Sequence, residues 1–282
     1  MKLSTPVIIP SLKTADKRGT LLIDKCLNDF QRHYEADITV IAQDYSDHEL
    51  LLLRERYGNV HFVPFPKGMM AAFNECKNIA IKRGLKSYIF MESDIMMSHR
   101  FDKNPTLIAY EKLFNLMPEK IGIVSAYSNS LIHFHRDSDE LIKIYANPAQ
   151  CMLINTTATK GCEYNEPFSA GRGDTDMTFQ IGAKGFLSII LQKYFTFHHS
   201  VSISKDPEKI KRAYEVHQIF ADKWDVKVKK DKRQVLLPTF KNLCEYDPED
   251  IKYLNRNFDY SVIRDYYPNF WKIKSFHSKE LF

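Results

Sequence analysis

SYIFMESD, residues 87–94, is a mostly apolar run that ends in two acids separated by a single serine. A short continuous apolar segment bounded by polar residues reads as a strand buried on both faces. Open α/β sheets hold their ligands in a crevice outside the carboxyl ends of such strands. Glu92, Ser93 and Asp94 are therefore site candidates, provided that the flanking sequence builds a sheet of that kind.

It does so on both sides. Upstream, VIIP (7–10) and ITVIAQD (38–44) are β-branched runs, and GTLLIDKCLNDFQRHY between them has helical spacing of apolar residues, which predicts a β-α-β unit. DHELLLLRERYG predicts a helix, VHFVPF (60–65) a strand and MAAFNECKNIAIKRG a long helix leading into SYIFM. Alternation of this kind predicts a parallel sheet with helices on both faces. Downstream, IGIVSAYS (121–128), LIKIYA (141–146), CMLINT (151–156) and LSIILQKYFTFHHS (187–200) read as strands, and FSAGRGDTDMTFQIGAKGF turns into a short helix. From about residue 205 the pattern changes to a helix, PEKIKRAYEVHQIFADKW, then a basic run and an aromatic tail. The expected organisation is one domain over 1–204, in two halves at about 1–100 and 101–204, and a C-terminal extension over 205–282 packed on it.

Composition narrows the class. The chain has 282 residues, 44% of them hydrophobic, enough for a sizeable core. No window holds the ~18 consecutive apolar residues of a membrane span, and MKLSTPVIIPSLK lacks a signal-peptide layout, so a cytoplasmic protein is expected. Five scattered cysteines without a CxxC pair argue against a disulfide framework or a thiolate zinc site. The net charge of +5 permits an anionic partner, and KWDVKVKKDKR (223–233) concentrates six bases against two acids.

The chemistry-bearing residues fall at corresponding places. Asp44 follows the second strand, Glu92 and Asp94 a later one, and His198 and His199 the last, while Asp174 and Asp176 lie in GRGDTDM. A crevice lined by carboxylates and one imidazole suits a hard divalent cation, which in turn suits a diphosphate.

In this ordered set, over about residues 5–225, the chain resembles the metal-dependent nucleotide-sugar glycosyltransferases of the GT-A fold, the inverting group in particular. The resemblance implies a Rossmann-like mixed, mostly parallel sheet flanked by helices, with a C-terminal helical and aromatic extension. It implies donor contacts at Pro10 and Ser11 after the opening strand, an acid for uracil or ribose at Asp44, and an Arg-Asn-like pair at Lys77 and Asn78. Glu92-Ser93-Asp94 stands for the family's Asp-x-Asp, with Asp94 as metal ligand and Glu92 in place of the usual Asp. GDTDM is similar to the acceptor-side Glu-Asp-x-Asp-Leu motif: Asp174 is then the base, Gly173 replaces the Glu, and Arg172 and Asp176 lie on the acceptor side. HSVSIS, beginning at His199, resembles the segment that supplies a further metal ligand, and IFADKWD resembles a C-terminal helix ending in Lys-Trp-Gly. Mn²⁺ or Mg²⁺, UDP-glucose and inverting transfer to a hydroxyl are what the resemblance implies.

Plainer readings stand beside these. Asp174 and Asp176 could cap a helix beginning near Met177, which is compatible with catalysis. Adjacent strand residues point to opposite faces, so at most one of His198 and His199 faces the crevice. His133 and His135 in HFHR lack the thiols or acids that would complete a zinc site, and the aromatics at 258–271 read as packing. There is no G-x-G-x-x-G after the first strand, no P-loop and no G-x-S-x-G, so dinucleotide oxidoreductase, phosphoryl transferase and serine hydrolase lack their loops. IPSLKTADKRGT is a poor version of the basic Gly-rich loop of a sugar nucleotidyltransferase.

For the acceptor, the basic run with Lys227, Lys229, Lys230, Lys232 and Arg233 resembles what a phage DNA-modifying glycosyltransferase would use to hold phosphates. DNA carrying a hydroxymethylpyrimidine, or a glucose already on one, is the preferred hypothesis. A bacterial surface polysaccharide is the alternative acceptor, and a non-catalytic nucleotide- or nucleic-acid-binding protein is the alternative of another class.

Overall fold

A computed structural model describes residues 1–15, 19–97, 105–128, 141–143, 150–169, 172–198, 207–224, 227–228 and 235–236. Among them, nine strands form one sheet: β1 (Val7–Leu12), β2 (Ile38–Gln43), β3 (Val60–Phe65), β4 (Ser87–Met91), β5 (Ile95–Met96), β6 (Ile121–Ser128), β7 (Leu141–Lys143), β8 (Cys151–Asn155) and β9 (Leu187–His198). The spatial order is β3-β2-β1-β4-β8-β6-β9-β5, with β7 also on β9. β1 to β4, β6 and β9 run one way, and β5, β7 and β8 run the other, so the sheet is mixed and mostly parallel.

Period-two alternation distributes the core to both faces. Val7 and Ile9 of β1 and Ile89 and Met91 of β4 pack with helices α1 (Leu22–His33), α2 (Asp47–Arg56) and α4 (Thr106–Leu116). Ile8, Tyr88 and Phe90 face the other way, against α3 (Met69–Lys82) and α6 (Gly173–Gly182). Burial on both faces is why these strands read as unbroken apolar runs. α1 buries Leu22, Ile23, Cys26, Leu27 and Phe30, a stripe at helical spacing. α2 starts at a capping box, in which Ser46 Oγ accepts from Glu49 N and Glu49 Oε2 accepts from Ser46 N.

Several expectations need adjusting. CMLINT ends as a strand at Asn155, whose Oδ1 accepts from Thr157 N and starts the short helix α5 (Thr156–Thr159). α6 begins at Gly173 rather than near Met177, so Asp174 and Asp176 lie within its first turn and not at its cap; Arg172 occupies that position without a side-chain cap bond. α4 gives no clear signal in the sequence because TLIAYEKLFNL is buried nearly all round and lacks a capping residue. Its buried Glu111 accepts from Ser4 N, Ser4 Oγ and Thr5 N at 2.6–2.9 Å, which ties the helix to the segment before β1. Helix α7 (Pro207–Trp224) falls as the pattern predicts. β10 (Lys227–Val228) pairs antiparallel with β11 (Val235–Leu236). Lys229, Lys230, Lys232, Arg233, His199, the HFHR group and the aromatic tail lie outside the described residues. No helix among the described residues is long and apolar enough to cross a membrane.

Candidate active site

The candidate site lies at the carboxyl ends of β1 and β4. The two strands share only the register pairs Val7–Ile89 and Ile8–Phe90, whereas β1 stays beside β2 as far as Leu12. Beyond Ile8 the two strands share no further register pair, and Pro10, which has no N–H to contribute, sits in that stretch. Pro10 and Ser11 are buried near the carboxyl end of β1, and Glu92, Ser93 and Asp94 follow the carboxyl end of the adjacent β4, the edge at which such sheets hold ligands.

The acidic segment is a held turn. Glu92 N donates to Gln150 O at 2.8 Å, and Glu92 O accepts from Ile95 N at 3.1 Å. Directly after β5, Met97 N donates to Asp29 Oδ2 of α1 at 2.6 Å. β5 then pairs with the end of β9 in the register Ile95–His198 and Met96–Phe197. Asp94 directly precedes Ile95 in the chain and so lies next to this short antiparallel pairing.

Electrostatics connect the end of β4 with the start of α6. The Glu92 carboxyl is pushed well above the usual carboxylate range, chiefly by desolvation and then by the charges of Asp94 and Asp174. Residues from β4 and from the start of α6 therefore act on one another. Asp174 Oδ1 accepts from Thr175 N at 2.7 Å, within the positive end of α6. Arg172 adopts a left-handed backbone (φ 69°), and burial draws its guanidinium down while Asp174 raises it. The buried Tyr164 phenol is raised by desolvation and also feels Asp174 and Glu92.

A raised acid has a definite thermal signature. Between the unfolded carboxyl value, about 4.3, and its higher folded value, the folded chain binds the extra proton, so stability falls as pH rises through that window. Glu92→Gln, assayed without metal, is expected to melt a few degrees above the wild-type chain at neutral pH, and the gap should close on approach to pH 4. Thermal melts across pH check this; equal melting temperatures at neutral pH would remove the crowding of charge at this position.

The residues expected to hold uracil or ribose follow β2. Asp44 is left-handed (φ 62°), largely exposed, and pairs with Lys67 Nζ at 3.1 Å. Ser11 Oγ and Tyr45 OH are 2.8 Å apart, and Gln43 Oε1 accepts from Gly68 N at 2.9 Å. Of the Arg-Asn-like pair, Lys77 is buried with its ammonium donating to Cys162 O, and Asn78 is exposed on α3. The sequence reading missed Asn74, one helical turn before Asn78, which holds the Tyr164 backbone through both Nδ2 (2.8 Å) and Oδ1 (2.9 Å). Its spacing from Lys77 on the same helix face was the available signal.

Asp176 is fully buried. Its carboxylate accepts from Lys223 Nζ (2.6 and 2.9 Å), Trp224 Nε1 (2.8 Å), Gln180 Nε2 (2.8 Å) and Asn165 Nδ2 (2.9 Å). Among the described residues, no group of three or more His, Cys, Asp or Glu side chains is arranged to hold a metal ion. Glu92 and Asp94 are nonetheless close enough for the charge of Asp94 to act on the Glu92 carboxyl, and carboxylate oxygens are the ligands a hard cation takes. Cys26, Cys76, Cys151 and Cys162 are free and buried.

No protein-family model matches the chain, and no curated protein matches its sequence. Solved structures do match its fold. The mannosyltransferase PcManGT of Pyrobaculum calidifontis, in complex with GDP-mannose and Mn²⁺, superposes with a TM-score of 0.55 at 14% identity, covering 81% of this chain and 66% of that one. Residues 1–349 of TarS from S. aureus in complex with UDP-GlcNAc give 0.53 at 11% identity, covering 78% and 67%. A further structure of that TarS fragment gives 0.52 at 14% identity over 94% and 74%. The chain has a GT-A-like fold, the fold of these nucleotide-sugar glycosyltransferases.

Proposed function

We propose that the chain is a glycosyltransferase that moves a hexose from a nucleoside diphosphate donor to an acceptor hydroxyl with inversion. What supports this reading is that Asp94 and Asp174, from two separate elements, both act on the Glu92 carboxyl just beyond β4 in a GT-A-like sheet. Carboxylates from two separate elements at such an edge serve two needs at once: one group of acids for the diphosphate side and one acid for the incoming hydroxyl.

Asp44, Pro10, Ser11, Lys77, Asn78 and Ser93 belong to the donor side, with UDP-glucose as the default donor. Asp94, with Glu92 and His199, would hold a divalent cation, Mn²⁺ or Mg²⁺, which when bound neutralises charge on the departing diphosphate. Asp174 takes the proton of the acceptor hydroxyl. The freed oxygen pair forms the new bond to the anomeric carbon, the bond from that carbon to the diphosphate oxygen breaks, and the nucleoside diphosphate leaves with the bonding electrons. Attack and departure on opposite faces of the sugar give inversion. For the acceptor we take DNA bearing a hydroxymethylpyrimidine, on the strength of the basic run from Lys227 to Arg233. The expected division into a 1–204 catalytic unit and a 205–282 extension belongs to the same proposal.

The test is a panel of nucleotide sugars with and without Mn²⁺ or Mg²⁺, read as released nucleoside diphosphate. One donor should be turned over in a metal-dependent manner, and Asp94→Ala should abolish that turnover. The same labelled donor then separates DNA from glycan acceptors. No release from any donor with either metal would retire the glycosyltransferase reading.

A further inference from the structure

The two acids of GDTDM do different things in the fold. Helical geometry sets residues two apart roughly 200° around the axis, so Asp174 and Asp176 project from opposite sides of α6. Asp174 acts electrostatically on Glu92, just beyond β4. Asp176 is turned away into a buried junction with the last turn of α7, where Lys223 and Trp224 donate three hydrogen bonds of 2.6–2.9 Å to its oxygens. The junction is closed by rings: Phe179 meets Phe220 at 5.1 Å and Trp224 at 5.2 Å, and Lys223 Nζ lies 5.3 Å from the centroid of Phe168. At the other end of the contact, Arg212 Nη2 donates to Ser169 Oγ at 3.3 Å, shortly before the segment that carries Arg172 and Asp174.

We infer that the bond of Lys223 and Trp224 to Asp176 is a positioning device for Asp174, so that α7, which lies beyond the expected catalytic boundary at residue 204, is part of the working site. The inference rests on the proposed glycosyltransferase reading. A carboxylate fully out of water needs its counter-charge, and Lys223, itself 37% exposed, is the cation that touches it. Gln180 and Asn165 bind the same carboxylate, so the junction also fixes the 163–165 segment, which Asn74 grips from α3. The first turn of α6 is thereby held from three sides. Orientation matters steeply here, because a displacement of about 1 Å in a reacting group costs on the order of 10²-fold in rate.

The experiment uses the full chain and the donor that the wild-type protein hydrolyses in the panel above, UDP-glucose in the first instance, and reads kcat for UDP release beside the donor Kd from calorimetry. Lys223→Met and the milder Trp224→Phe, which keeps a ring against Phe179, should leave donor Kd unchanged within about twofold and lower kcat by about tenfold or more. Lys223→Arg should recover most of the loss, because a guanidinium can hold the same carboxylate. Thermal melts confirm that each variant is folded at the assay temperature, and Trp224→Phe carries the test if Lys223→Met does not fold. Wild-type kcat in folded Trp224→Phe, or a parallel loss of donor binding in it, would overturn the positioning role while leaving the glycosyltransferase reading intact. Absence of donor turnover in the wild-type chain would overturn both.

Discussion

Replacing Asp174 with Asn is expected to lower turnover of the accepted donor by about 10²- to 10⁴-fold, with donor affinity unchanged within about twofold. The substitution is nearly isosteric. Asn keeps the oxygen that accepts from Thr175 N at 2.7 Å, so the start of α6 survives, and Thr178 Oγ1 still donates to the backbone carbonyl of residue 174 at 2.9 Å. What disappears is the ability to accept a proton as the acceptor oxygen attacks. A base used only in the transition state shows itself as a loss in kcat with little change in ground-state binding. Single-turnover assays with the donor, alongside calorimetric binding of the same donor, separate the two quantities. Wild-type turnover in the Asn variant would leave Asp174 as a residue of the helix terminus and nothing more.

Gly122→Ala adds a single methyl group and is expected to destabilise the fold well beyond what that small change in volume suggests. A Cβ at Gly122 of β6 would stand 2.4 Å from Ile181 Cγ2 and 2.9 Å from Phe186 Cβ, distances that packed carbon atoms do not reach. Ile181 belongs to α6, so the clash lies between that helix and the strand beneath it. Overpacking of this kind costs about 1–3 kcal/mol, read as a fall of several degrees in the melting midpoint. Because α6 also carries Asp174, lifting it off the sheet should lower kcat as well. A Gly122→Ala variant that melts with the wild-type chain would mean that α6 does not approach β6 this closely in solution.

The parts of the fold that were legible are those where local pattern and tertiary burial agree. SYIFM is a strand at the expected residues because burial on both faces forces an unbroken apolar run of strand length, whereas VHFVPF, at the sheet edge, begins with buried and exposed residues in alternation. PEKIKRAYEVHQIFADKW is a helix from end to end for the parallel reason at helical period. α4 was not legible, since a helix buried nearly all round shows no polar face to set its period. Nor was the insertion of β8 between β4 and β6 legible, because strand order depends on pairings that no local window contains. Among the site candidates, the position of Glu92 and Asp94 after β4 followed from strand length alone. The partners of Asp176 could not be read, since they come from Lys223 and Trp224, forty-seven and forty-eight residues away. Likewise, nothing in the sequence of α3 tells that Lys77 spends its ammonium on the Cys162 carbonyl.

The reversed strand β8 has a consequence for the order in which the protein is made. When Met91 has left the ribosome, β1 to β4 can already associate, but the outer edge of β4 has no neighbour until Cys151 arrives, 60 residues later by subtraction (151 − 91). At translation rates of about 5–20 residues per second, that edge waits about 3–12 s. For all that time a nascent chain carries an open row of backbone donors and acceptors on an apolar strand, the kind of edge that pairs with other chains. The turn at Glu92 waits with it, because its backbone N–H is held by Gln150 O. The sheet edge that carries the candidate site is therefore assembled from both sides of a gap in synthesis, and a slow codon stretch between residues 92 and 150 would lengthen the interval in which the half-built sheet is most exposed to misassembly.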